Sequence, residues 1–162
     1  MSSRPSSKPE LGTDPAACTR QALDLLARRE HSRHELERKL EARGFDAADI
    51  ATTLDALERS GKLATARFAE SFVRARAGRG QGPVRIRLEL AERGVDAAEA
   101  AVAVGSADVD WVELAAATRA KRFGSARPAD YKERARQARF LQYRGFDSEQ
   151  IKSALELGDD SD

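Results

Sequence analysis

Three stretches decide the architecture: Leu40-Glu-Ala-Arg43-Gly44-Phe45-Asp46, Leu90-Ala-Glu-Arg93-Gly94-Val95-Asp96 and Leu141-Gln-Tyr-Arg144-Gly145-Phe146-Asp147. Their leading leucines stand 50 and 51 residues apart, and the shared pattern is L-x-x-R-G-[FV]-D. A repeat at that period marks one supersecondary unit used several times. Each position in it has a physical job. Leu closes the apolar face of a helix, and Arg places a cation at the negative end of the helix dipole. Gly supplies the left-handed residue that ends the helix, and Phe or Val packs back across the turn. Asp then caps the next helix, with Asp49, Glu99 or Gln150 three residues on, in the manner of a capping box. The pattern therefore predicts a helix-turn-helix joint, used three times.

Outward from each joint, apolar spacing predicts the flanking helices. Ile50/Leu54, Ala100/Val104 and Ile151/Leu155 are four residues apart on the helices that follow. Before the first joint, one helix over 17–29 carries Ala22, Leu25 and Leu26, and Ser32 with Glu35 opens a second carrying Leu36 and Leu40. Before the second joint, a helix over 66–77 carries Phe68, Phe72 and Val73. A Gly78-Arg-Gly80-Gln-Gly82 break reads as a flexible hinge, and Pro83 sits at the first position of a helix carrying Ile86 and Leu90. Before the third, Trp111, Leu114, Ala115 and Thr118 form a stripe, Phe123-Gly124 ends it, and Asp130 with Glu133 opens a long helix. Phe68, Phe72, Trp111 and Phe140 stand at core spacing. No period-two strand pattern occurs. The expected fold is all-α: three tandem three-helix, helix-turn-helix-like modules forming an elongated, curved body. Their expected bounds are 17–61, 62–106 and 107–157, between a disordered tail over 1–16 and an acidic tail over 158–162.

Composition agrees. Of 162 residues, 31 are Leu, Ile, Val or Phe and 30 are Ala, so the cores must be thin and the helices closely packed. With 28 basic and 27 acidic residues the net charge is +1, so any charge signal is local rather than global. A single cysteine, Cys18, excludes a disulfide framework and a multi-cysteine metal site and reads as a small packing residue. No apolar run approaches the roughly 18–20 residues of a membrane span, and the Ser/Pro-rich start has no apolar signal core. The expectation is a soluble, cytoplasmic protein.

Catalytic patterns fail on inspection. His34-Glu35 begins like H-E-x-x-H, but Arg38 stands where the second metal ligand must be, and His31 and His34 read as solvated or capping. Gly78–Gly82 follows a helix rather than a strand, and Pro83 replaces the lysine of a phosphate loop. Cys18 has no catalytic partner in the sequence. The chain reads as a non-enzyme with no metal and no cofactor.

One charge cluster stands out. Arg74, Arg76, Arg79, Arg85 and Arg87 lie within fourteen residues that contain no acid. With no interleaved Glu to pair at i,i+4, they read as a surface facing an anion, either phosphate backbone or the acidic residues of a partner. A second set, Arg134, Arg136 and Arg139, has Glu133 beside it and reads as readily as a solvated face.

The stretch Arg67-Phe-Ala-Glu-Ser-Phe-Val-Arg-Ala-Arg-Ala-Gly-Arg-Gly-Gln-Gly-Pro-Val-Arg-Ile-Arg-Leu-Glu-Leu90 resembles the central signature of the RecX family, bacterial regulators of the RecA recombinase. Ala22-Leu-Asp-Leu-Leu26 followed by Arg33, Glu35, Leu36, Lys39 and Leu40 is similar to the family's N-terminal pattern. The resemblance runs from about Ala17 to Leu155 and is looser in the third module. Where members often carry acids before the R-F-A segment, this chain has Leu63-Ala-Thr-Ala66. The resemblance implies a non-enzymatic protein that binds RecA and the RecA–single-stranded DNA filament, and the chain is expected to be a monomer. It further implies inhibition of strand exchange, ATP hydrolysis and coprotease activity, with at most a weak, sequence-independent DNA contact. The alternative from the residues alone is a helix-turn-helix DNA-binding protein acting without RecA. A major-groove reader would carry basic and amide side chains on the helix after each turn, and here those helices begin acidic.

Overall fold

The computed structural model describes residues 14–158. Both tails lie outside that range apart from Asp14–Ala16 and Gly158. Among the described residues there are nine α-helices and no strand: α1 (Pro15–Arg28), α2 (Arg33–Ala42), α3 (Ala47–Arg59), α4 (Thr65–Ala77), α5 (Pro83–Glu92), α6 (Ala97–Gly105), α7 (Trp111–Phe123), α8 (Tyr131–Arg144) and α9 (Ser148–Glu156). The all-α reading and the three-helix repeat hold. The chain divides into two compact units, Met1–Phe68 and Ala69–Asp162.

The joints explain why the repeat is spelled as it is. Gly44, Gly94 and Gly145 have φ of +88°, +79° and +98°, a region that costs a residue with a Cβ roughly 1–2 kcal/mol. Around each glycine two backbone bonds close the same motif. Gly44 N–H donates to Glu41 O at 2.9 Å and Phe45 N–H to Leu40 O at 3.3 Å; Val95 to Leu90 (3.1 Å) and Phe146 to Leu141 (3.2 Å) repeat the longer bond. This is a Schellman cap, in which the last carbonyls of the helix find donors and the apolar residue after glycine folds back. Phe45, Val95 and Phe146 are accordingly buried.

The caps of the following helices differ from one another. Asp147 Oδ1 accepts from Gln150 N–H at 2.8 Å while Gln150 Oε1 accepts from Asp147 N–H at 3.0 Å, a complete capping box. Asp96 accepts from Glu99 N–H at 2.8 Å. Asp46, expected to cap in the same way, has the same extended backbone (φ −67°, ψ 145°) but makes no side-chain cap bond. The first helix begins earlier than expected. Asp14 Oδ1 accepts from Ala17 N–H at 3.0 Å and Pro15 occupies N1, so Pro15 and Ala16 belong to α1 rather than to a tail.

In the first unit, α1, α2 and α3 enclose a core that includes Ala22, Leu36, Leu40, Ile50, Leu54 and Cys18, with Leu63 completing it from the chain that leads into α4. Full burial of each large aliphatic contributes about 1.5–3 kcal/mol. His31, read as solvated or capping, is instead buried. Its Nδ1 lies 3.0 Å from the Arg29 carbonyl and its Nε2 lies 2.9 Å from Lys39 Nζ. The ammonium can only donate, so Nε2 accepts and Nδ1 carries the proton toward Arg29 O. Desolvation holds the imidazole below its ordinary pKa of 6.5. The Arg29 carbonyl opposes that shift, and the charges of Arg29 and Lys39 reinforce it.

In the second unit, α7, α8 and α9 pack around Ala115, Leu141, Phe146 and Ala154. Small residues at the crossings let the helices approach closely, as the scarcity of large apolar residues requires. Phe68 is buried, whereas Phe72, Trp111 and Phe140, expected in the core, are half-buried. Arg119 is the surprise. It is 1% exposed, and its guanidinium donates to Ala126 O (3.0 Å), Leu157 O (2.8 Å) and Gln137 Oε1 (3.3 Å). A buried cation is tolerated when hydrogen bonds replace its water, and here they also tie the loop after α7 and the end of α9 to α7.

Candidate partner-facing surface

The five arginines read as one anion-facing set are divided by the fold. Arg74 and Arg76 lie in the last turn of α4, Arg79 on the turn that follows, and Arg85 and Arg87 in the first half of α5. Arg76 and Arg85 are half-buried and find an acid within the chain. Arg76 Nε and Arg85 Nε each lie 3.5 Å from a different oxygen of Glu89. The expectation of no i,i+4 acid therefore needs correction, because Glu89 stands just beyond the acid-free run and one helical turn on from Arg85. Arg76 also lies 4.6 Å from the centre of the Phe72 ring, which Arg93 approaches at 4.7 Å, and Arg85 lies 5.6 Å from that of Tyr143. Arg74, Arg79 and Arg87 are exposed, and none of the three forms an ion pair among the described residues.

The glycine-rich break is not a hinge. Gln81, Gly82 and Pro83 are buried, because the third joint of the repeat docks on this turn. Gly82 N–H donates to Arg144 O at 2.8 Å and Val84 N–H to Gly145 O at 2.9 Å. Arg144 Nε donates to Gly80 O at 3.3 Å, and Arg144 Nη2 donates to Arg79 O. The backbones are so close that a Cβ on Gly82 would stand 2.3 Å from Gly145 C, and one on Gly145 would stand 2.2 Å from Arg85 Cβ. The glycines are there for close approach, and the turn that carries Arg79 is held rigidly. Arg144 was legible only as the cation of a helix end. That it reaches 64 residues back had no signal in the sequence.

Among the described residues no group of three or more His, Cys, Asp and Glu is placed to hold a metal ion. Cys18 is buried in the first core. Among the described residues no helix is long and apolar enough to cross a membrane.

Comparison with known proteins bears on most of the chain. Models for the first, second and third three-helix domains of RecX match residues 18–57, 66–104 and 108–155. A curated relative from Halorhodospira halophila, named regulatory protein RecX, is 48% identical over 153 residues, which is 94% of this chain and 95% of that one. Another of that name, from Pseudomonas fluorescens, is 47% identical over 146 residues, covering 90% and 94%. The crystal structure of RecX from Lactobacillus salivarius superposes with a TM-score of 0.75 at 23% identity, over 88% of this chain and 94% of that one.

Proposed function

The chain belongs to the RecX family of regulatory proteins, and from that premise we propose that it binds RecA and the RecA–single-stranded DNA filament as an inhibitor. In this reading it acts in the cytoplasm as a monomer and lowers strand exchange, ATP hydrolysis and coprotease activity, with roles in recombination, DNA repair and the SOS response. It takes no cofactor and catalyses no reaction. The observation that carries the reading is that the three RecX domain models follow one another along residues 18–155.

The arginine surface supports an electrostatic attachment, narrower than the five-residue run. Arg74, Arg79 and Arg87 present charge to solvent, whereas Arg76 and Arg85 spend theirs on Glu89. An exposed ion pair is worth only about 0–1 kcal/mol, so attachment needs several such contacts to act together. The helices after the turns argue against major-groove reading: Asp46, Asp96 and Asp147 begin them, and α6 carries no basic residue.

Co-sedimentation with RecA filaments on single-stranded DNA tests the proposal. The chain should pellet with filaments and stay in solution with bare duplex. Substituting Arg74, Arg79 and Arg87 together by Ala should weaken pelleting and flatten its salt dependence. Tight, sequence-selective binding to bare duplex would replace the proposal with the DNA-binding alternative.

A further inference from the structure

We propose that the groove between the Gly78–Gly80 turn, the C-terminal half of α7 and the end of α8 binds the phosphodiester backbone of single-stranded nucleic acid. The site deepens the filament reading and rests on it for the identity of the strand.

The groove measures about 510 Å³, and four cations line it, Arg79, Lys121, Arg122 and Arg144, with no carboxylate among the lining residues. The four come from three separate places in the chain, so no linear run of charge reveals them. Lys121 and Arg122 occupy the last turn of α7 and are exposed. Arg122 lies 5.3 Å from the centre of the Phe123 ring, which in turn meets Phe140 edge-on at 5.2 Å. Arg144 is fixed through Nε and Nη2 to the carbonyls of Gly80 and Arg79. Its charge is thus held at the groove wall by backbone rather than neutralised by an acid.

The chemistry favours a polyphosphate chain. Guanidinium forks match phosphate oxygens, and a lysine adds a point charge. A strand supplies one negative charge at every nucleotide, whereas a peptide would need a nearly unbroken run of acids to meet four cations in one groove. Leu114, Ala117 and Phe140 line the same groove and give sugars an apolar surface to lie against. The turn offers no backbone donors, because the N–H groups of Gly78, Arg79 and Gly80 are bonded to the carbonyls of Arg74, Arg76 and Ala77. Recognition must therefore be by side-chain charge, which is insensitive to sequence and sensitive to salt. The opposite end of α7 sets a limit: Asp108, Asp110 and Glu113 border the adjoining groove and would repel a strand.

The test is fluorescence anisotropy of a labelled oligo(dT) titrated with the full chain at several salt concentrations. It compares the wild type, K121A/R122A, and an R20A/R28A control on the exposed face of α1. The wild type should bind. K121A/R122A should lose about tenfold in affinity at low salt and about 1.4 in the slope of log K against log salt, from roughly 0.7 per phosphate contact. The control should match the wild type. Lys121→Ala alone, at an exposed side chain, should show about half the slope change and guards against a folding defect in the double variant. Equal affinity and slope for K121A/R122A and wild type would overturn the site, as would tighter binding of poly-glutamate than of oligo(dT). RecA ATPase inhibition measured on the same proteins separates the two claims. Inhibition without oligo(dT) binding removes the groove and leaves the filament reading. Groove-dependent oligo(dT) binding without inhibition removes the filament reading and leaves the groove.

Discussion

Gly82→Ala probes the contact that organises the second unit. Gly82 has φ −84°, an angle any residue adopts, so the substitution introduces no backbone strain of its own. Its whole effect comes from the added methyl group. That carbon would stand 2.3 Å from Gly145 C, 2.4 Å from Gly145 O and 2.4 Å from Phe146 N. All three are backbone atoms of a capped turn, so no side chain can swing aside. Relief requires the two turns to separate, which breaks the Gly82–Arg144 and Val84–Gly145 backbone bonds and strains the Arg144 contacts with Arg79 O and Gly80 O. Each lost bond costs about 0.5–1.5 kcal/mol, and more where a buried group is left unpaired. The expected total is about 3 kcal/mol. For a unit of this size that lowers the melting midpoint by roughly 10 °C or more. Gly105→Ala is the control, since a Cβ there meets nothing within 4 Å and alanine favours the helix by up to about 1 kcal/mol. Thermal unfolding followed by circular dichroism reads both. If Gly82→Ala melts with the wild type, the two turns do not dock as described.

Three further outcomes follow from single contacts. Asp147→Ala should cost about 0.5–2 kcal/mol through its lost cap, whereas Asp46→Ala, which loses no cap bond, should stay within about 0.5 kcal/mol; calorimetry of the pair decides. Arg119→Lys keeps the charge but cannot span the carbonyls of Ala126 and Leu157 together, so denaturant unfolding should show a loss above about 2 kcal/mol. His31 has its folded pKa held below 6.5, so the unfolded chain takes up the proton first. Stability should therefore fall as pH drops below 6.5 and level off once the folded-state pKa is passed. Lys39→Met, by removing a positive neighbour, should shrink that loss in melts between neutral and mildly acidic pH.

The joints were legible because their determinants are local. A left-handed glycine, a cap and an apolar residue folding back are all decided within seven residues; the structure repeats the glycine and the apolar fold-back three times and the side-chain cap twice, at Asp96 and Asp147. What the same letters do at longer range was not legible. The motif arginine meets the side chain of Gln21 at Arg43. At Arg93 it donates to Glu89 O at 3.0 Å and lies over Phe72. At Arg144 it reaches a different module. Nothing in L-x-x-R-G-[FV]-D distinguishes these roles, since each depends on what packing brings alongside. The glycine break misled for the same reason: small residues for flexibility and small residues for close approach are spelled alike. Five arginines in a row of fourteen residues resembled one surface until Glu89 took two of them inward. Lys121 and Arg122 resembled ordinary dipole partners at a helix end until Arg79 and Arg144 stood beside them. Buried Arg119 gave no sign, because most of the carbonyls that satisfy it, those of Ala126 and Leu157, belong to backbone of any sequence.

The proposed restraint of RecA on DNA is measured most directly by the rate of ATP hydrolysis by RecA on single-stranded DNA as the purified chain is added. The rate should fall with increasing chain, and R74A/R79A/R87A should inhibit less with a weaker dependence on salt. An unchanged rate when the chain equals or exceeds RecA in concentration would contradict it.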